Sequence, residues 1–115
     1  MLSKNTVQKI VAAYLRRLPL KIEFAILFGS SVYGERLHGS DVDLIVVSDD
    51  FEKMPYHERM FLMQNYWVHN SYLESFAYTP KEFERLRKIS VTVREASRKG
   101  LKLYVTDKIS VLEKY

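Results

Sequence analysis

The sequence predicts an α/β fold in which a small sheet is packed with helices, and three observations carry that prediction. Ile22–Phe28 and Val42–Val47 are short, almost unbroken apolar runs, the pattern of strands buried on both faces. Helical periodicity stands before them and returns after them. Clusters such as His38-Gly39-Ser40 and Ser48-Asp49-Asp50 punctuate the alternation. Pattern alone leaves open whether the strands run parallel or mixed.

At 115 residues the chain is read as one domain, 1–115, able to bury a real core. An apolar fraction of 47% with 28% charged residues excludes a disordered or fibrous class. The absence of cysteine excludes disulfides and thiolate metal sites. No apolar stretch approaches the ~20 residues that span a bilayer. Met1-Leu2-Ser3-Lys4-Asn5 lacks the apolar core of a signal peptide, so a cytoplasmic protein is expected. A net charge of +4 favours anionic ligands, whether nucleotide phosphates, nucleic acid or an acidic partner.

In chain order, Val7, Ile10, Val11, Tyr14, Leu15 and Leu18 recur at helical spacing, with Asn5 and Gln8 as a capping box and Leu18-Pro19 as the stop. The strand Ile22–Phe28 follows. Gly29 then gives backbone freedom, and Ser30 can cap a short helix through about Leu37. Val42–Val47 is the second strand. Pro55 suits the first turn of a helix whose Tyr56, Met60, Met63 and Trp67 share one face, ending near His69-Asn70. Ser71–Tyr78 reads as a third strand with Tyr72, Glu74, Phe76 and Tyr78 on one face. Thr79 caps a further helix, with Glu82 at the box position and Phe83, Leu86 and Ile89 on its apolar side. A last helix runs through Lys99 to a C-cap at Gly100, and Leu101, Leu103 and Val105 alternate with polar neighbours as a half-buried edge strand.

The chemistry concentrates at the head of the second strand. Asp41 and Asp43, one residue apart, project from the same face, and their mutual repulsion calls for a divalent cation. All-oxygen ligands beside phosphates suit Mg²⁺, or Mn²⁺. Glu74, on a neighbouring strand in the same orientation, completes three acids around a two-metal site. Gly29 lets phosphate approach the backbone, and Ser30 with the first N–H groups of the next helix forms an anion site. Acids and amides meeting at one end of adjacent strands suit nucleotidyl transfer. A nucleophile attacks the α-phosphorus of a nucleoside triphosphate, and pyrophosphate leaves.

Gly29-Ser30, then Gly34, then Ser40-Asp41-Val42-Asp43-Leu44 resembles the signature of the DNA polymerase β-like nucleotidyltransferase superfamily: Gly-Ser, about ten residues, then Asp-x-Asp among apolar residues. The segment from Glu74 to Phe83 looks like that family's third-acid strand and following helix. The likeness is strongest to the minimal nucleotidyltransferases, small prokaryotic proteins often paired with a HEPN-domain partner. It implies a polymerase β palm-like fold with a small mixed sheet. It implies Asp41, Asp43 and Glu74 as metal-binding catalytic acids, and Gly29 and Ser30 as contacts to the β- and γ-phosphates. It further implies AMP transfer from ATP to a protein hydroxyl, with the partner a toxic ribonuclease and this chain its antitoxin. Two departures stand out. Glutamate replaces the commoner aspartate as third acid, and Tyr33 stands where arginine often precedes the second glycine, leaving Arg36 as a substitute cation.

Plainer readings compete. Glu74 can instead pair with a core arginine or lysine. The chain can also be a non-catalytic module that neutralises its partner by contact, or, given the basic residues from Lys81 to Lys102, a nucleic-acid-binding subunit. His38, His57 and His69 lack metal-ligand spacing, which speaks against zinc. The small size argues that a partner protein or a second copy completes the acceptor side.

Overall fold

The structure is a computed structural model and describes residues 4–29, 42–105 and 109–114, with side chains left aside at 4 and 109–114. The elements are α1 (Lys4–Arg17), β1 (Ile22–Phe28), β2 (Val42–Ser48), a 3-10 turn (Asp49–Phe51), α2 (Tyr56–Asn65), β3 (Leu73–Tyr78), α3 (Pro80–Ile89), α4 (Val91–Lys99), β4 (Leu101–Val105) and β5 (Ile109–Lys114). The strands form one five-stranded sheet in the order β3-β2-β1-β4-β5. β2 and β3 are parallel, and the other neighbours are antiparallel. The fold is therefore α/β with a mixed sheet, as expected.

Both faces are covered, which explains why β1 and β2 read as continuous apolar runs rather than alternating ones. On one face, Val7, Val11, Tyr14 and Leu15 of α1 and Met63 of α2 pack on Ala25, Leu27, Leu44 and Val46. On the other, Phe83, Val93 and Ala96 of α3 and α4 pack on Ile26, Ile45 and Val47. Tyr14 is wholly buried, and its hydroxyl donates to the Met63 carbonyl at 2.7 Å, tying α1 to α2.

The local signals fare unevenly. The capping box at α3 forms as predicted: Glu82 N–H donates to Thr79 Oγ1 at 3.2 Å, and Thr79 N–H donates to Glu82 Oε1 at 2.9 Å. By contrast, α1 begins at Lys4, so Asn5 lies inside its first turn and cannot cap it. Pro55 is the N-cap of α2, extended at ψ 153, rather than its first helical residue. α2 stops at Asn65, so Trp67 lies beyond it, yet it still packs edge-on against Tyr14 at 5.0 Å. Tyr56 and Ile89, expected on apolar faces, are 42% and 65% exposed. β3 begins at Leu73, two residues later than the pattern suggested.

The largest correction concerns β4. It lies inside the sheet, flanked by β1 and β5, and is not an edge. Its polar alternation misleads because Lys102 lays its ammonium over Phe24, 4.3 Å from the ring centroid, and so belongs to a covered face. Gly100 does close α4, but at φ −76 rather than in a left-handed cap. Glycine is required there by space, since a Cβ would lie 2.4 Å from Ile26 Cγ2 and 2.5 Å from the Ala96 carbonyl.

Candidate active site

Three strands converge at one end of the sheet. Phe28 is the register partner of Asp43 on one side, and Glu74 is its partner on the other. Register partners present their side chains to the same face about 4.8 Å apart, so Asp43 and Glu74 are lateral neighbours. Both stand on the face that α3 and α4 cover further along, over Ile45 and Val47. At the acid end that cover is absent among the described residues: Asp43 is half-buried and Glu74 exposed. Phe28 and Phe76 approach to 5.9 Å across β2 and wall the acids off from the core.

Gly29 completes this corner. It takes φ +73, the left-handed region that glycine enters without strain. A Cβ built on it would lie 2.3 Å from Oδ2 of Asp43, so the carboxylate occupies the space a side chain would need. The glycine is thus required twice, for its backbone conformation and for the approach of the acid.

The structure therefore brings Gly29, Asp43 and Glu74 together. Ser30 and Asp41 lie outside the described residues, as do Tyr33, Arg36, His38 and the short helix expected after Ser30. Asp43 and Glu74 are two potential oxygen ligands. Among the described residues no group of three acids or histidines gathers to hold a metal.

The competing reading of Glu74 as a core ion-pair partner finds no support. Among the described residues the buried cation is Arg59, and it pairs with Glu82 instead. Its Nη1 lies 2.6 Å from Glu82 Oε1 and also donates to the Ala77 carbonyl at 3.0 Å, while Nε donates to the Met54 carbonyl at 2.9 Å. This bond holds the Glu82 carboxyl below its ordinary range. Glu82 was legible as a cap, but Arg59 was not, because its partners are distant in sequence. His69 is likewise committed, its Nδ1 accepting from Ser71 N–H at 3.0 Å.

Two neighbouring carboxylates beside a left-handed glycine can hold a hard cation, and a cation there can bind phosphate. The chain belongs to the nucleotidyltransferase domain family, whose model matches residues 7–114. Among solved structures it is similar to a candidate nucleotidyltransferase from Sulfolobus solfataricus, with 24% identity over 71% of each chain and a TM-score of 0.49. No curated protein matches the chain. No helix among the described residues is long and apolar enough to cross a membrane.

Proposed function

We propose that this chain transfers a nucleoside monophosphate, AMP from ATP, to a hydroxyl of a protein acceptor in a Mg²⁺-dependent reaction. The observation that carries the reading is the corner where Asp43 stands beside Glu74 and against the bare backbone of Gly29. Two neighbouring carboxylates over an aromatic wall fit a hard divalent cation, with Asp41 as the further ligand; Mn²⁺ suits the same oxygen donors. Bound there, one or two such ions supply charge neutralisation for the triphosphate and the leaving group.

The chain's own residues do the rest. Gly29, through its backbone, and Ser30, through its hydroxyl, contact the β- and γ-phosphates. The Glu74 carboxylate takes the proton of the acceptor hydroxyl. As that oxygen bonds to the α-phosphorus, the bond from the α-phosphorus to the α,β-bridging oxygen breaks, and pyrophosphate departs with the electron pair. The acceptor is a HEPN-domain ribonuclease toxin, so the chain acts as its antitoxin in the cytoplasm; a homo-oligomer is the other arrangement that completes the acceptor side.

The test is incubation of the partner with this chain, ATP and Mg²⁺, read by intact-protein mass. An AMP adduct is expected, and Asp43→Asn removes it. Tight complex formation without any adduct would sink the enzymatic reading and leave neutralisation by contact.

A further inference from the structure

The outer edge of β3 carries a gap that the reaction chemistry does not explain. Val42 N–H donates to the Tyr72 carbonyl at 2.8 Å, which sets the ladder: backbone groups of Tyr72, Glu74, Phe76 and Tyr78 face β2. Those of Leu73, Ser75 and Ala77 therefore face outward, where an open edge invites another strand. Side chains of α2 plug half of it. Gln64 Nε2 donates to the Leu73 carbonyl at 2.9 Å, Arg59 Nη1 donates to the Ala77 carbonyl at 3.0 Å, and Ala77 N–H donates to the Tyr56 hydroxyl at 3.3 Å. At Ser75 only the hydroxyl is engaged, directed at Met60 Sδ at 3.8 Å. No described side chain hydrogen-bonds to its backbone N–H or C=O, although the residue is buried. Over this gap lies a cavity of about 500 Å³ lined by Met60, Gln64, Tyr72, Leu73, Glu74 and Ser75.

We infer that this gap is the acceptor dock: an extended polypeptide segment pairs antiparallel with the backbone of Ser75, the opposite residue exchanging both hydrogen bonds with it, and so presents a neighbouring hydroxyl side chain to Glu74. The inference rests on the reading of Glu74 as the acid that serves the acceptor. A strand added at the edge lies about 4.8 Å from β3, and the residue opposite Ser75 shares its face, toward α2. The residues on either side of it then point to the opposite face, where Glu74 stands. Ser75 is buried, so Met60 and Gln64, both unbranched, are the side chains that give way.

Charge selects the occupant. The single charged lining residue is Glu74, and no lysine or arginine lines the cavity. A phosphodiester chain would meet a carboxylate and no cation, whereas a neutral or basic peptide meets a matching donor and acceptor at Ser75 and an exposed aromatic ring at Tyr72.

The test uses the full chain with Mg²⁺, α-labelled ATP, a library of extended peptides carrying Ser, Thr or Tyr flanked by Gly, Ala or Lys, and an RNA oligonucleotide bearing a free 3′-hydroxyl. Ser75→Pro removes an outward N–H without touching the β2 ladder, and Ser75→Ala keeps that N–H while losing the hydroxyl. Peptide labelling is expected to fall about tenfold in kcat/KM for Ser75→Pro and to persist in Ser75→Ala, the loss that one backbone hydrogen bond carries. Independently of any variant's folding, N-methylating the peptide residue opposite Ser75 is expected to cost about as much, while N-methylation of the residues beside it does not. Peptide labelling indifferent to both changes overturns the dock and leaves nucleotidyl transfer standing. Label on the RNA end and not on peptides overturns it in favour of a nucleic-acid acceptor. Label on neither peptide nor RNA overturns the dock alone if the partner protein still gains an AMP adduct, and overturns it together with the transferase reading if the partner gains none.

Discussion

Replacing Gly29 by alanine tests the corner most directly, because the substitution adds one methyl group where the structure has no room. The φ of +73 costs an L-residue about 1–2 kcal/mol. With an unfolding entropy of about 2.1 cal/mol/K per residue, or roughly 0.24 kcal/mol/K for this chain, that strain lowers Tm by about 4–8 °C. The added Cβ would lie 2.3 Å from Oδ2 of Asp43. Restoring an ordinary contact moves the carboxylate by about 1 Å, a misplacement that costs on the order of 10²-fold in rate. The assay pairs a thermal melt followed by circular dichroism with release of pyrophosphate during transfer. Thr79→Ala is the matched control, since losing the α3 cap costs about 1 kcal/mol at the far end of β3. It should lower Tm comparably and leave turnover intact. Wild-type turnover in folded Gly29→Ala would refute the close approach, and equal losses in both variants would reduce the effect to stability.

Other outcomes follow from the core. Arg59→Met strands two carbonyls and a carboxylate, because the arginine side chain is only 7% exposed; about 3 kcal/mol should be lost, read as a urea midpoint lower by about 2 M. The hydrogen bond from Arg59 holds the Glu82 carboxyl below its ordinary 4.5 in the folded chain. Its stabilisation is complete above pH 4.5 and is lost as pH falls through the lowered folded value, so Glu82→Gln should flatten the acid limb of a stability–pH curve. Burial raises the Tyr14 phenol above its ordinary 10, so the unfolded chain ionises first and stability declines as pH climbs past 10. Tyr14→Phe should cost about 1 kcal/mol at neutral pH and lessen that alkaline decline. A residual decline is expected from Tyr78, pushed up to about 12 chiefly by burial.

What the sequence made legible was local or periodic. β1 matched its apolar run at both ends, and the capping box at Thr79 was readable because its two partners sit three positions apart. Strand alternation made legible which residues share a face within β2 and within β3. That Asp43 and Glu74 share one face side by side was expected but not derivable, since it depends on the pairing, direction and register of β2 and β3, which no spacing in the chain encodes. β5 escaped notice, and with it the interior position of β4, because Lys102 and Tyr104 look solvent-facing until their aromatic neighbour Phe24 is in place. Arg59 reads as one more surface cation. Only the fold gathers Met54, Ala77 and Glu82 around it. Gly100 was legible as the helix terminator, but the crowding that requires glycine there was not, because Ile26 meets it only in the fold.

The position of Glu74 also bears on how faithfully the sheet assembles. β2 and β3 are apolar enough on both faces that hydrophobicity alone specifies their alignment weakly. If β3 slipped by one residue against β2, every side chain would change faces, and Glu74 would turn beneath α2 among Met63, Leu44 and Val46. An unpaired carboxylate there costs several kcal/mol, a penalty that falls on the misaligned pairing and spares the native one. The acid proposed to serve the acceptor thus also enforces the alignment that brings it beside Asp43, and a Glu74→Leu chain would gain apolar surface while losing its safeguard against misregistered strands.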